Sequence, residues 1–329
     1  MLRQGLSGLS TWQRFEIRRI EDLGNAIFGA RLDVLQMTGP PIRGSLAFAA
    51  GNGIVLSSGL IEGRVALSGF LPSDAVTLGI ALHVGPGSRL WLNAARDGDV
   101  AIFLPDDRYD AYYTEGTLYV AATLSRERLE EIARQAGLAH DPQMTAKAGL
   151  HDRPLAPPVL AWLRHQIAGI HRGDAVTEAA GGEIGPRLLE AVIAHFATGP
   201  GGNGGMEPAG RARIVARARR FILENLAAPL TLSAVARAAE TSQRTLNRAF
   251  VEVFDDTPVD YVNRLRLHRI RRDLASEAGT PQTVAKVAAR WGIHEPGRMS
   301  GRYHTLFGEY PHETLALAQR AQRHGPVFY

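Results

Sequence analysis

Arg244, Asn247 and Arg248 lie within the stretch TSQRTLNRAF, residues 241–250. At the helical period, Leu246, Ala249, Phe250 and Val253 gather on one apolar stripe, and the three polar residues point away from it. Taken alone, such a face is most often a solvated one, but solvated faces usually interleave acids with bases at i,i+4. Here no carboxylate follows until Glu252. Arginine can hold guanine, and asparagine adenine, through paired hydrogen bonds. Gln243 precedes them, and Ser242 is placed to cap the helix and to meet a phosphate. The chemistry offered is recognition of an anionic, base-bearing partner.

Other chemistries are poorly supplied. The chain has no cysteine, which excludes disulfides, thiolate nucleophiles and zinc–thiolate sites, and also the alkyl-accepting repair proteins. Residues 1–130 contain a single histidine, His83, too few for a multi-histidine metal centre and expected to be a satisfied core residue. Neither a Ser/His/Asp arrangement nor a phosphate-cradling or dinucleotide fingerprint occurs. The expectation is therefore no enzyme, no cofactor and no metal. One feature of the first half could hold a small molecule. Trp91, Phe103, Tyr109, Tyr112 and Tyr113 supply aromatic surface and Arg89 an anion partner, although aromatics in a small β domain are mostly core.

These residues sit in a chain of 329, 45% hydrophobic and 21% charged, long enough for two domains with cores of their own. Its net charge of +4 is unevenly divided: 211–329 carries 18 arginines and one lysine against 11 acids, a net of +8, whereas 1–210 nets −4. An arginine-dominated half beside an acidic one points to a polyanionic partner. No signal peptide and no membrane-spanning run is apparent, so a cytoplasmic protein is expected.

The stretch TGPGGNGGMEPAG, 198–210, reads as a flexible linker. Before it, residues 30–125 are β-rich, with RVALSGFL, VTLGIALHV and TLYVAATL separated by turn signals, as in a small barrel or sandwich. From 125 to 197 the period becomes helical. Ser125 opens one helix that Gly137 stops, and 156–170 and 185–197 supply two more. The helices 126–137 and 185–197 are amphipathic and are expected at a dimer seam. After the linker, 211–318 is helical throughout, followed by a tail at 319–329.

A repeat runs through that helical half. Val235-Ala236 is followed by Leu246, Phe250, Phe254 and Pro258; Val287-Ala288 is followed, one residue later in register, by Met299, Tyr303, Phe307 and Pro311. Alanine suits a close helix crossing, so each copy reads as a short helix, a turn and a second helix. Gly292 in the second turn accommodates a positive φ. The equivalent residue of the first copy is Glu240, which at the same geometry costs on the order of 1 kcal/mol. The intervening helix, 258–275, would span about 27 Å at 1.5 Å per residue, a strut able to set two recognition helices near one DNA turn apart.

At these residues the chain resembles the AraC/XylS family of bacterial transcription regulators. The resemblance covers about 211–315 and rests on LTLSAVARAAETSQRTLNRAF, TPVDYVNRLRLHRIRRDL and VAKVAARWGIHEPGRMSGRYHTLFGEYP in that order. It implies an α+β chain. An N-terminal cupin-like β-barrel with accessory helices (1–197) would bind an effector and dimerise, and a C-terminal all-α domain of two helix-turn-helix units joined by a linker helix would enter successive major grooves. The chain departs from the family where Ile293 replaces an aromatic, where Asp255 and Asp256 replace a glycine, and where the second recognition helix opens with Pro296 and Gly297. The first unit, with Ser242, Gln243, Arg244, Asn247 and Arg248, is therefore expected to carry base readout, and the second to act through Arg298, Ser300, Arg302 and phosphates. Expected partners are double-stranded DNA, a small organic effector near Arg89, Trp91, Phe103, Tyr109 and Tyr113, RNA polymerase, and a second copy of the chain. The expected role is an activator. The competing readings are an effector-independent regulator whose N-terminal domain only dimerises or takes a protein partner, and, remotely, a cupin-type enzyme fused to a DNA-binding domain.

Overall fold

The computed structural model describes residues 11–39, 41–135, 148–151, 153–174, 178–197, 203–204, 208–276 and 283–324. Gly137 and most of the expected linker lie outside them. The chain divides into two compact units, one of residues 1–34 with 42–208 and one of residues 35–41 with 209–329.

In the first unit, strands begin earlier than the sequence pattern shows, with β1 at Gln13–Glu16. There follow β2 (Arg31–Gln36), β3 (Arg43–Gly51), β4 (Ile54–Glu62), β5 (Val65–Phe70), β6 (Val76–His83), β7 (Arg89–Leu90), β8 (Asn93–Ala94), β9 (Val100–Phe103), β10 (Arg108–Tyr113) and β11 (Thr117–Leu124). Helix α1 (Arg126–Gln135), β12 (Gly149–His151), α2 (Pro157–Arg172), α3 (Glu178–Ala197) and β13 (Asn203–Gly204) complete it. Ser125 caps α1, its Oγ accepting the Arg128 N–H at 3.2 Å.

The strands form two sheets, in the orders β1-β3-β4-β11-β6-β9-β12-β13 and β2-β5-β10-β7-β8. This corrects the expected barrel, which does not close. The second sheet ends in two strands of two residues each, too short to carry the ladder round to the first. The larger sheet has one face against the helices: Leu78, Ile80, Ile102, Val120 and Ala122 pack with Leu129 and Ala133 of α1, Leu163 and Ile167 of α2, and Leu188, Val192 and Ile193 of α3. With its other face turned to the smaller sheet, β11 is buried at every residue. The apolar stripes of α1 and α3 thus cap the sheet, so a dimer must use other faces. His83 is corrected as well. It is half exposed at the strand end and lies 3.2 Å from Asp97, because β6 leaves the core there.

The second unit contains α4 (Gly210–Glu224), α5 (Leu232–Ala238), α6 (Gln243–Phe254), α7 (Pro258–Ser276), α8 (Val284–Arg290), α9 (Pro296–Phe307) and α10 (Pro311–His324), which runs on past 318 where a tail was expected. The sequence repeat returns as geometry. Val235, Ala236, Val287 and Ala288 are buried, as are Leu246, Phe250, Phe254, Met299, Tyr303 and Phe307. Thr231 and Thr283 cap α5 and α8 by accepting the N–H groups of Ala234 and Lys286. Glu240 and Gly292 both take positive φ, 54° and 71°, and so do Asp255 and Gly308, 51° and 74°. The first copy holds with acidic side chains the left-handed positions that glycine fills in the second. The two prolines start helices α7 and α10 at first-turn positions, where a missing N–H is harmless.

The repeat reaches further back than the apolar pattern shows. Sixteen residues before each Val-Ala pair stands a buried arginine, Arg219 and Arg271. Each guanidinium lies over the last aromatic of its copy, Arg219 over Phe254 at 5.6 Å and Arg271 over Phe307 at 4.7 Å. Arg219 also donates to Tyr261 Oη at 3.1 Å, and Arg271 to Glu309 at 2.6 Å. Asp273 is particular to the second copy, where its carboxylate accepts from Trp291 Nε1 at 2.8 Å and Arg290 at 3.1 Å.

Two predictions follow from these contacts. Asp273→Ala strands the indole N–H and the Arg290 partner, and should cost about 2–3 kcal/mol; denaturant unfolding checks this, and a loss below about 0.5 kcal/mol would remove Asp273 as a tie. In the first unit, Ser58 Oγ gives its proton to Tyr119 O at 2.6 Å, so His171 Nε2–H must donate to Ser58 and Nδ1 accept from Ser45. Burial, with Arg14 adding to it, lowers the His171 pKa to about 4. Because the unfolded ring protonates near 6.5, the unfolded chain binds the extra proton first. Stability is full above about 6.5 and falls by up to about 3 kcal/mol as pH drops toward 4. An NMR titration of this ring giving a midpoint of 6 or above would contradict the assignment.

Candidate nucleic-acid interface

Helix α6 presents the cluster from which the sequence reading began. Ser242 Oγ accepts the Thr245 N–H at 3.1 Å and so fixes the first turn. Leu246, Ala249 and Phe250 anchor the inner stripe, and Gln243, Arg244, Asn247 and Arg248 are exposed on the outer one. Among the described residues none of these four has an intramolecular partner. This matters because the other arginines of the unit are mostly engaged. Arg211 pairs with Glu252 and Arg217 with Glu240. A face with two guanidinium groups and two amides, unneutralised and held on a capped helix, is suited to hydrogen-bonding base edges and phosphates.

Helix α9 offers less. Met299 is buried and Ser300 half-buried, so neither continues an outer face of the α6 type. Arg298 is 84% exposed and reaches Glu295 at 3.2 Å. Arg302 is exposed. Gly297 and Gly301, one turn apart, have open space where a Cβ would stand, leaving backbone accessible between the two arginines.

Of the arginines at 264–272, which read as a cationic helix face in the sequence, the structure engages three within the unit. Arg264 pairs with Asp256 at 2.8 Å, Arg266 donates to the carbonyls of Leu226 and Ala228 at 3.2 and 2.9 Å, and Arg271 holds Glu309. These, with Asp273, position the helices and escaped the sequence reading. The 16-residue spacing from the Val-Ala pairs was the available signal for Arg271, as it was for Arg219 of the first copy.

In the first unit, Phe103, Tyr109 and Tyr113 line one cavity between the sheets, together with Tyr119, Thr117, Asp99 and small residues of the larger sheet. Trp91 stands behind them, its ring 4.8 Å from Phe103 and its Nε1 donating to Arg108 O at 2.9 Å. Arg89 is outside the lining and donates to Leu92 O at 3.2 Å.

Residues 235–316 match the family model described as a helix-turn-helix domain. Over 101 residues the chain is 31% identical to the XylDLEGF operon transcriptional activator 2 of Pseudomonas putida, covering 31% of this chain and 64% of that protein. Over 222 residues it is 24% identical to the XylDLEGF operon transcriptional activator 3 of the same organism, covering 66% of this chain and 65% of that protein. The chain thus spans just under two thirds of the length of either relative. Among solved structures, the AraC-like transcriptional activator CuxR aligns with 78% of this chain and 94% of its own, at 17% identity and a TM-score of 0.36. Residues 235–316 thus form a helix-turn-helix domain similar to that of these XylS- and AraC-type regulators.

Proposed function

We propose that the chain is a sequence-specific DNA-binding transcription activator in which two helix-turn-helix units, α5–α6 and α8–α9, share the work unequally. The observation that carries this is the unpaired outer face of α6, with Gln243, Arg244, Asn247 and Arg248 available for base edges and Ser242 at the phosphate-facing helix start. On α9 the glycines admit the sugar–phosphate backbone and Arg298 and Arg302 meet phosphates, with Ser300 beside them. The strut between the pairs, α7, is about 28 Å long at 1.5 Å per residue, close to the spacing of successive major grooves. The net charge of +8 over 211–329 supplies the non-specific attraction.

The first unit, an open variant of a cupin-like barrel, senses a small organic molecule in the cavity beside Phe103, Tyr109 and Tyr113 and dimerises. An activating role agrees with the names of the relatives, and contact with RNA polymerase in the cytoplasm is proposed with it. A cavity lined by aromatics and a few polar groups favours this sensor over a unit that only dimerises.

The test uses duplexes selected by the full chain from a random pool, with base-pair variants and a salt series. Arg244→Ala and Asn247→Ala should each weaken binding by about 1–3 kcal/mol and relax preference at particular base pairs. Arg302→Ala should weaken all duplexes alike and shallow the salt slope by about one unit. Unchanged affinity in the α6 variants would end the reading. Equal loss of base preference from both sets would leave a DNA reader without the asymmetry.

A further inference from the structure

We propose that the cavity between the two sheets of the first unit takes a compact, uncharged organic molecule, with an apolar body of about one ring and a hydrogen-bond acceptor. This rests on the reading of that unit as an effector sensor and names the ligand class.

The space is built by sequence. Ala121 on β11, Gly79 on β6 and Ala101 on β9 are register partners in a continuous cross-strand row, and Ala81 follows Gly79 on the same face. The opposite face of the same strands carries Leu78, Ile80, Ile102 and Val120 against the helices. Strands of this kind normally fill both faces with branched or aromatic side chains. The missing volume is thus confined to the face that meets the smaller sheet, where Phe103, Tyr109, Tyr113 and Tyr119 wall it. The atom-free space, counted out to its open mouth, is about 550 Å³.

The polar inventory sets the ligand's chemistry. Tyr119 Oη donates to Ala26 O at 2.7 Å and Thr117 Oγ1 to Thr114 O at 2.7 Å, so both protons are used. Tyr109 and Tyr113 hydrogen-bond to each other. One bond between two hydroxyls uses one proton, and the second O–H has no acceptor among the described residues. Both residues are buried, and a buried donor is normally paired. Burial raises Tyr109 well above the usual phenol range and Tyr113 to about 12, so the hydroxyls remain protonated donors.

An acceptor on the ligand completes the set. Negative charge on it would not be met, because no Lys, Arg or His lines the cavity. An anion would lose its hydration without a counter-charge and would face the Asp99 carboxylate. Asp99 already accepts the Arg96 N–H at 2.8 Å.

Calorimetric titration of the full chain with four one-ring probes tests this: acetophenone (neutral acceptor), toluene (no acceptor), benzoate (anion) and benzylammonium (cation). Acetophenone should bind at least tenfold more tightly than the other three. In Y109F/Y113F its advantage over toluene should vanish, since either single variant still leaves one phenolic O–H. Ala121→Leu should abolish binding of all probes without lowering the melting temperature. Should that variant misfold, Gly79→Ala replaces it, since its Cβ would stand at an ordinary 3.5 Å from Phe103 Cε2, and it should weaken binding severalfold.

Tighter binding of benzoate or benzylammonium that Ala121→Leu abolishes would overturn the ligand class and leave the sensor cavity standing. Binding that survives the filling variant would overturn the site. A double Tyr variant that keeps the tenfold preference would overturn the role of the phenol pair. No binding of any probe by the wild-type chain would overturn the proposal together with the one-ring sensor reading.

Discussion

The second unit depends on two buried arginines, each laid over the last aromatic of its helix pair. An arginine almost fully removed from water needs its charge met on every side. Arg219 meets the Phe254 ring and the Tyr261 hydroxyl; Arg271 meets the Phe307 ring and the Glu309 carboxylate, which Thr314 also reaches. Arg219 ties α4 to α7, and Arg271 ties α7 to Glu309 just before α10, a carboxylate that Thr314 of α10 also holds. The pair in between is clamped rather than merely packed. A recognition helix of 12 residues could not hold a fixed direction on its own apolar stripe, since short helices are marginal without tertiary contacts.

Because α7 takes part in both clamps, its polar side chains are drawn inward. Arg264 reaches back to Asp256 at the end of the first pair, Arg266 holds the carbonyls after α4, and Asp273 holds the turn of the second pair through Trp291 and Arg290. A helix that looks cationic in sequence is therefore largely neutralised in place. Among the described residues, the exposed guanidinium groups without an acid partner include Arg244 and Arg248 of α6 and Arg302 of α9. The opposite economy governs the first unit. There the core face against the helices is filled with branched residues, and the face toward the smaller sheet is thinned to glycine and alanine along one row.

What could be read from the sequence was whatever a local period or fixed spacing encodes. The apolar triplets at 246–254 and 299–307, the strand TLYVAATL at β11 and the caps at Ser125 and Ser242 all reappear at their positions. The positive φ at Glu240 could also be anticipated, because the aligned glycine shows what the turn demands even where the residue resists it. What could not be read was the destination of long-range partners. Arg271 and Glu309 are 38 residues apart, and no period reports which side of a helix an arginine will be pulled toward. The barrel was not legible for a similar reason: alternation marks strands, whereas closure depends on how the sheets end, and the smaller one ends on one side in two strands of two residues each, with almost no pattern. Of the candidate cavity, Phe103, Tyr109 and Tyr113 were named from aromatic content, but the row of small residues that makes room for a ligand lies on three strands and becomes visible only in register.

The second helices of the two pairs, α6 and α9, show how far a repeat can diverge while its scaffold holds. The threonine caps of α5 and α8, the left-handed turn residues, the buried triplets and the arginine clamps are kept in both copies. The outer faces are not. Where α6 carries Arg244, Asn247 and Arg248, α9 opens with Pro296 and Gly297 and adds Gly301 a turn later. Scaffold positions are fixed by packing, in which a lost contact costs stability at once. Outer positions answer only to the partner, so they can change without unfolding the unit. A second helix held just as firmly, with Arg298 and Arg302 as its exposed long side chains, is tied to α7 by the clamp at Arg271 and by Asp273. In the proposed division of labour, α9 contributes placement and phosphate contact, and α6 reads base edges.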